Sequence, residues 1–276
     1  MRTRPWNKIL TDEDEKLIVK LYTEGNLSAP RILCELNDKV KTTKTIYDIL
    51  KKFDVITKDT SFYNSVNHFY FSNIDNPKKA YVLGLMISDG WVHINRNQVG
   101  IQLQECDEYI IDFVKKEFET ENKIVTCDKK PFAGENGKIY YPQKMKRIMV
   151  NSKKMIDDLS KYGVVERKSL KTVFPIMCDF KSHILRGILD GDGSICINSG
   201  RETKSIRFIG SCFLTAQISQ FLYTELGVKF AFPSLSGNIS CVGWYKKEDF
   251  EKIIDFLYKD KEESCFLERK YEIAKS

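Results

Sequence analysis

VLGLMISDG at residues 82–90 and LRGILDGDG at residues 185–193 decide how this chain is to be read. Each is an apolar stretch that runs into an acid and a glycine. Each also carries small residues four apart, Gly84 with Ser88 and Gly187 with Gly191. Residues four apart lie one above the other on a helix, and small ones let a second helix backbone come close. Two helices packed through these four residues are therefore expected. Asn76 is a natural N-cap for the first, with Pro77 at the first helical position, where a missing N–H costs nothing. The second should start near Lys181. Such packing would carry Asp89 and Asp192, at matching C-terminal ends, to one point of the interface.

What surrounds these helices also occurs twice. The alternating strand VGIQLQ followed by EYIIDFVKKEF answers to SIRFIGS followed by TAQISQFLYTEL, and KRIMVNSKKMIDDLSKYG answers to NISCVGWYKKEDFEKIIDFLY. Period-2 segments read as strands and 3.6-period segments as helices, so each copy reads as helix, strands, helix, strands, helix. The expected class is α+β, with one repeat over residues 76–176 and a second over 177–276.

The chemistry available is narrow. Among 276 residues there are three histidines, and the eight cysteines are scattered singly, with no C-x-x-C pair to hold zinc and no disulfide framework. A metal would have to rely on carboxylates. Asp89 and Asp192, brought together, suit a hard divalent cation such as magnesium, which prefers oxygen ligands. An acid at a helix C-terminus also faces the negative end of the macrodipole, a cost that a cation offsets. A single Asp-Gly pair merely ends a helix in a turn, whereas two in register point to a site.

The net charge of +6 alone implies only a basic protein. Its distribution says more. Lysine and arginine gather with aromatic residues in DKKPFAGENGKIYYPQKMKR, which holds Lys129, Lys130, Lys144, Lys146 and Arg147, and in SGRETKS, which holds Arg201 and Lys204, with Arg207 close behind. These are expected phosphate-contacting segments. Residues 1–58 read as a separate unit of three short helices: TDEDEKLIVKLYTEG capped by Thr11, SAPRILCELND capped by Ser28, and TTKTIYDILKKF with Ile46, Ile49, Leu50 and Phe53 on one face. The choice is between a helix-turn-helix, whose third helix would present Thr43, Lys44, Tyr47 and Lys51 to DNA, and a plain three-helix protein contact domain. Residues 59–75 read as a linker that packs in part on the next domain. No apolar run approaches the roughly 20 residues of a membrane span, and the N-terminus lacks a secretory pattern, so an intracellular protein is expected, in cytoplasm or nucleoid or an organelle matrix.

The two quoted stretches resemble the paired signature of the LAGLIDADG homing endonucleases, and the resemblance extends over roughly the last two hundred residues. The second copy matches closely. The first departs, with Ile87 where an earlier aspartate often falls and Ser88 for a smaller residue. The resemblance implies two αββαββα repeats forming a DNA-binding saddle, and a monomer without an obligate protein partner. It implies cleavage of both strands of a long, non-palindromic site in double-stranded DNA. Magnesium or manganese would serve at Asp89 and Asp192, with calcium binding but not supporting cleavage. It also implies a basic residue late in each repeat, supplied by Lys168 and Lys270, which lie 102 positions apart (270 − 168) against 103 for the acids (192 − 89). Gln104 and Ser211 are weaker candidates for positioning the attacking water, and Asp190 matches only the variable earlier acid. Two rivals use the same scaffold: a maturase binding intron RNA, and an inactive helix-turn-helix transcriptional regulator. Retention of both acids and both lysines argues against the second.

Overall fold

A computed structural model describes residues 10–25, 27–55, 66–128, 131–134, 137–198 and 203–276. Of the expected phosphate contacts, Lys129, Lys130 and Arg201 lie outside them. The chain forms two compact units, Met1–Thr60 and Ser61–Ser276. Among the described residues no helix is long and apolar enough to cross a membrane.

The first unit is three helices, α1 (Asp12–Thr23), α2 (Ala29–Glu35) and α3 (Thr43–Lys52). Thr11 opens α1 as a reciprocal cap: its hydroxyl accepts from Asp14 N at 3.2 Å, and the Asp14 carboxylate accepts from Thr11 N at 3.1 Å. Four acids in that first turn suit the positive end of the helix dipole. Two of them also tie the unit together, Asp14 to Lys39 and Glu15 to Lys52, each at 2.6 Å. Ile18, Tyr22, Ala29, Ile32, Val40, Ile46, Ile49 and Leu50 make the core. On α3, Lys44 and Lys51 are exposed, while Thr43 and Tyr47 are half-buried and Tyr47 packs against the core. Phe53 departs from its expected core position and is 39% exposed. It is the residue after the helix, with φ −97° and ψ 16°, so the helical period no longer aims its side chain inward.

In the second unit the αββαββα order occurs twice. The first repeat has α4 (Pro77–Ile87), β1 (Gly90–His93), β2 (Gln98–Gln104), α5 (Glu108–Glu117), β3 (Val125–Cys127), a short ribbon of β4 (Phe132–Ala133) and β5 (Ile139–Tyr140), then β6 (Met145–Asn151) and α6 (Lys153–Lys161). The second has α7 (Lys181–Gly191), β7 (Ser194–Asn198), β8 (Thr203–Gly210), α8 (Cys212–Leu226), β9 (Ser234–Ser236), β10 (Ile239–Trp244) and α9 (Lys247–Tyr258), followed by α10 (Glu268–Lys275). Each repeat makes a four-stranded antiparallel sheet in the same order, β1-β2-β6-β3 and β7-β8-β10-β9. Side chains alternate across a sheet. In β2, Val99, Ile101 and Leu103 enter the core and leave Gln98, Gln102 and Gln104 on the other face.

Residues 66–75, read from sequence as the end of a linker, belong to this unit. Tyr70 and Phe71 are buried and stack edge-on with Phe118, at ring centroid distances of 5.3 and 5.8 Å. The aromatic residues that break the periodicity there are themselves what anchors the segment.

Helices α4 and α7 form the spine. Every residue from Ala80 to Ile87 is buried, because α4 has a neighbour on each side. The contact between the helices is backbone against backbone. A Cβ on Gly84 would meet the Ile184 carbonyl and stand 2.9 Å from Gly187 Cα, and one on Gly187 would meet the Tyr81 carbonyl and stand 2.8 Å from Leu85 N. The small residues are required by that approach.

Candidate active site at the foot of the helix pair

The two acids converge as the spacing implied. Ser88 ends α4, its single hydroxyl proton placed within reach of the Gly84 and Leu85 carbonyls at 3.2 Å and, across the pair, of the Gly187 carbonyl at 3.4 Å. A Cβ on Gly191 would meet that hydroxyl and lie 2.9 Å from Asp89 Oδ2, and Asp192 follows at the C-cap of α7. Burial pushes the Asp89 carboxyl up to about 6, the negative charge of Asp192 adds to the rise, and Lys168 and Lys270 oppose it. Asp192 is raised too, burial outweighing the same two lysines. Four charged groups, two from each repeat, therefore share one field.

The lysines hold the ends of the helices that carry the acids. Lys168 Nζ donates to the Ile87 carbonyl at 2.9 Å and to that of Ser88. Lys270 Nζ donates to the Leu189, Asp190 and Gly193 carbonyls at 2.6, 2.8 and 2.7 Å. Such carbonyls have no partner within the helix, and a cation there also answers the dipole. Burial lowers both ammonium groups below the ordinary lysine range, against the pull of nearby acids. Lys270 is 6% exposed and all three of its donors are engaged, so it is held on the turn that carries Asp192 with no donor left over. Lys168 is partly exposed and has a donor to spare.

Gln104 and Ser211 separate. Gln104 is exposed at the end of β2. Ser211 is buried and caps α8, accepting from Leu214 N at 3.0 Å and donating to the Thr172 carbonyl at 2.5 Å, so its hydroxyl is not available to position water. Two basic residues expected at DNA also turn away. Lys146 pairs with Leu103 across the ladder, on the core side of its strand, and is bound by Glu105 at 3.5 Å and Glu108 at 3.2 Å. Lys204 shares the face of Ile206 and Phe208 and donates to the Ala274 carbonyl at 3.1 Å. Their neighbours in sequence point the other way. Arg147 lies opposite Gln102, and Arg207 crosses Gly243 with its guanidinium 5.3 Å from the Tyr245 ring centre. Lys144 is exposed in the loop before β6.

Asp107, Tyr109 and Arg269 stand beside this site without having been singled out from sequence. Arg269 donates twice to Asp107, at 3.1 and 2.9 Å, joining the repeats. The sequence signal for them was the ERK triplet that ends in the late lysine in both copies. Asp190 is also more than a variable position. Fully buried, it accepts from the Tyr81 hydroxyl and from Leu267 N, each at 2.9 Å.

The residues present fit a hard divalent cation. They supply two partly solvated carboxylates whose mutual repulsion a cation would relieve, and the described residues hold no cluster of three or more His, Cys, Asp or Glu. An ion there would take at most these two carboxylates from side chains. Its remaining coordination sites would be left for water, backbone or phosphate oxygens.

No family model matches the sequence, and no curated protein matches it. Solved structures do. The homing endonuclease I-WcaI bound to its DNA recognition sequence is similar with a TM-score of 0.52 at 12% identity, covering 73% of this chain and 87% of that one. The LAGLIDADG homing endonuclease I-GzeII in complex with its DNA target has a TM-score of 0.47 at 15% identity, covering 72% and 87%. At such identity the likeness is one of architecture: this chain has the two-sheet α+β fold of the homing endonuclease I-WcaI.

Proposed function

We propose that the chain is a divalent-metal-dependent DNA endonuclease that breaks both strands of a long, non-palindromic site, hydrolysing one phosphodiester on each. The observation that carries this reading is the meeting of Asp89 and Asp192 at the foot of the helix pair, inside the field of Lys168 and Lys270. Asp89 and Asp192 would hold magnesium or manganese, which when bound supplies Lewis-acid polarisation of the phosphate and an activated water. The chain's own part is to fix charge in place beforehand. Ser88 and Lys168 lock the end of α4, and Lys270 locks the end of α7, so both carboxylates stand on rigid turns. The spare donor of Lys168 is available to a phosphate oxygen as its charge develops.

Recognition falls to the outward sheet faces. Gln98, Gln102 and Gln104 share one face with Arg147, and glutamine and arginine are the side chains that pair bidentately with adenine and guanine in the major groove. The two halves are not alike. The row next to the acid is Trp91, Gly100 and Met149 in one sheet but Ser194, Arg207 and Gly243 in the other. A site read by both would not be palindromic. One chain supplies both acids, so a monomer suffices, and Lys44 and Lys51 on α3 would extend the contact as a helix-turn-helix.

The test is Asp89→Asn combined with Asp192→Asn, assayed on duplexes selected from a random library by binding to the wild-type protein. Asparagine keeps the size and removes the charge that holds the ion. Cutting in magnesium should disappear while a specific gel shift persists, and calcium should support binding of the wild type without cutting. A double variant that cuts at the wild-type rate would place the chemistry elsewhere. A wild type that shifts DNA but never cuts it would favour the regulator, and one that prefers intron RNA the maturase.

A further inference from the structure

The two halves of the site are built differently, and the difference lies in the segment that enters α10. Leu267 N donates to Asp190 Oδ2, the same buried oxygen that accepts from the Tyr81 hydroxyl on α4. One carboxyl thus ties both central helices to the start of this segment. Arg186 on α7 holds the approach to it, donating to the Leu257 carbonyl at 2.6 Å and the Cys265 carbonyl at 3.1 Å. From the first repeat, Tyr109 donates to the Phe266 carbonyl at 3.1 Å and accepts from Glu268 N at 2.8 Å, while Asp107 holds Arg269 by two bonds. Lys270 follows next in sequence. The result is a strap across both repeats whose far end sets Lys270 against three carbonyls.

The first repeat has the same triplet at residues 166–168 without the strap. Ile87 replaces Asp190, Arg167 is exposed with φ +55°, and Lys168 sits in a 3-10 turn on two carbonyls. Among the described residues no side chain of the second repeat bonds that triplet itself; Ser211 and Gln217 bond the chain only after it, at the Thr172 carbonyl (2.5 Å) and at Phe174 N (2.9 Å).

We infer that Asp107, Tyr109, Arg269 and Asp190 are positioning residues for one catalytic half only, so that the rate of cutting one strand depends on the strap and the rate of the other does not. The inference rests on the endonuclease reading. The strap acts through Lys270, which fixes the turn carrying Asp192, and loosening it displaces that carboxylate relative to one scissile phosphate. A bidentate charge-assisted bond is the part most sensitive to a change of shape.

The experiment follows each strand separately, on an end-labelled duplex and on a supercoiled plasmid carrying the selected site. Arg269→Gln should slow one strand by about tenfold or more while the other stays within about threefold, so that nicked circle accumulates before linear product. Exchanging the charges, Asp107→Arg with Arg269→Asp, should restore the lagging strand in part. Tyr109→Phe removes one bridging hydroxyl from a partly exposed ring. It should slow the same strand by a smaller factor, and it decides the matter if Arg269→Gln does not fold. Equal slowing of both strands, or of neither, by a folded variant overturns the inference and leaves the endonuclease reading standing. A wild type that cuts neither strand overturns both.

Discussion

Asp89 is a carboxylate kept where its charge is costly. Its folded-state value of about 6 lies above the ordinary 3.8, so the folded protein binds this proton more tightly than the unfolded chain. Its stabilising contribution is present at low pH and is lost as pH rises from about 4 through about 6. At pH 7.5 the ionised group is therefore a net burden, of at most about 3 kcal/mol before solvent screening. Asp89→Asn should raise Tm at pH 7.5 in a chelator, and the gain should shrink to nothing near pH 4. Magnesium should raise the Tm of the wild type and not of the double asparagine variant, because only an ion bound to the folded state stabilises it. An asparagine variant less stable than wild type at pH 7.5 would mean that this carboxylate is satisfied without a cation. Asp89 and Asp192 were legible in the sequence because the motif that carries them recurs, while Lys168 and Lys270 were implied by the family resemblance and supported by a spacing of nearly the same period. Arg269 and Asp107 lie 162 positions apart, and no periodic pattern marks a pair brought together only by tertiary folding. Ser211 aligns with Gln104 in the repeat yet serves α8 as its cap, since a serine just before a helix satisfies the nearest backbone donor first.

At the scale of elements, the helix pair was legible because glycine at four-residue spacing has a direct steric meaning, and the approach of Gly84 to Gly187 realises it. Gly187→Leu must push backbone from backbone, at a typical overpacking cost of about 1–3 kcal/mol or more. Tm and DNA cutting should fall together, since the same displacement separates Asp89 from Asp192. A leucine variant of normal Tm and activity would mean that the helices tolerate a wider spacing. Basic residues in strands were harder to place. Lys146 and Arg147 are adjacent and both look like DNA ligands by composition, but alternation sends them to opposite faces, and only the pairing with Leu103 and Gln102 says which is which. Lys204 and Arg207 divide in the same way.

The two units have separate cores: the buried residues of the three-helix unit and those of the double repeat form distinct clusters. Removing residues 1–58 should therefore leave the larger unit folded, with Asp89, Asp192, Lys168 and Lys270 untouched. The exposed lysines of α3, Lys44 and Lys51, are the ones that a helix-turn-helix would set against phosphates. Each phosphate neutralised contributes about 0.9 to the slope of log affinity against log salt, so losing two such contacts should flatten that slope by about 2. The deletion should also shorten the protected footprint on one side and weaken binding, while magnesium-dependent cutting persists at high enzyme concentration. These readouts separate DNA contact from mere stabilisation, because a destabilised protein loses active fraction without changing its salt slope or the length it protects. An unchanged footprint together with an unchanged slope would assign the three-helix unit to protein contact, and the DNA would then be read by the double repeat alone.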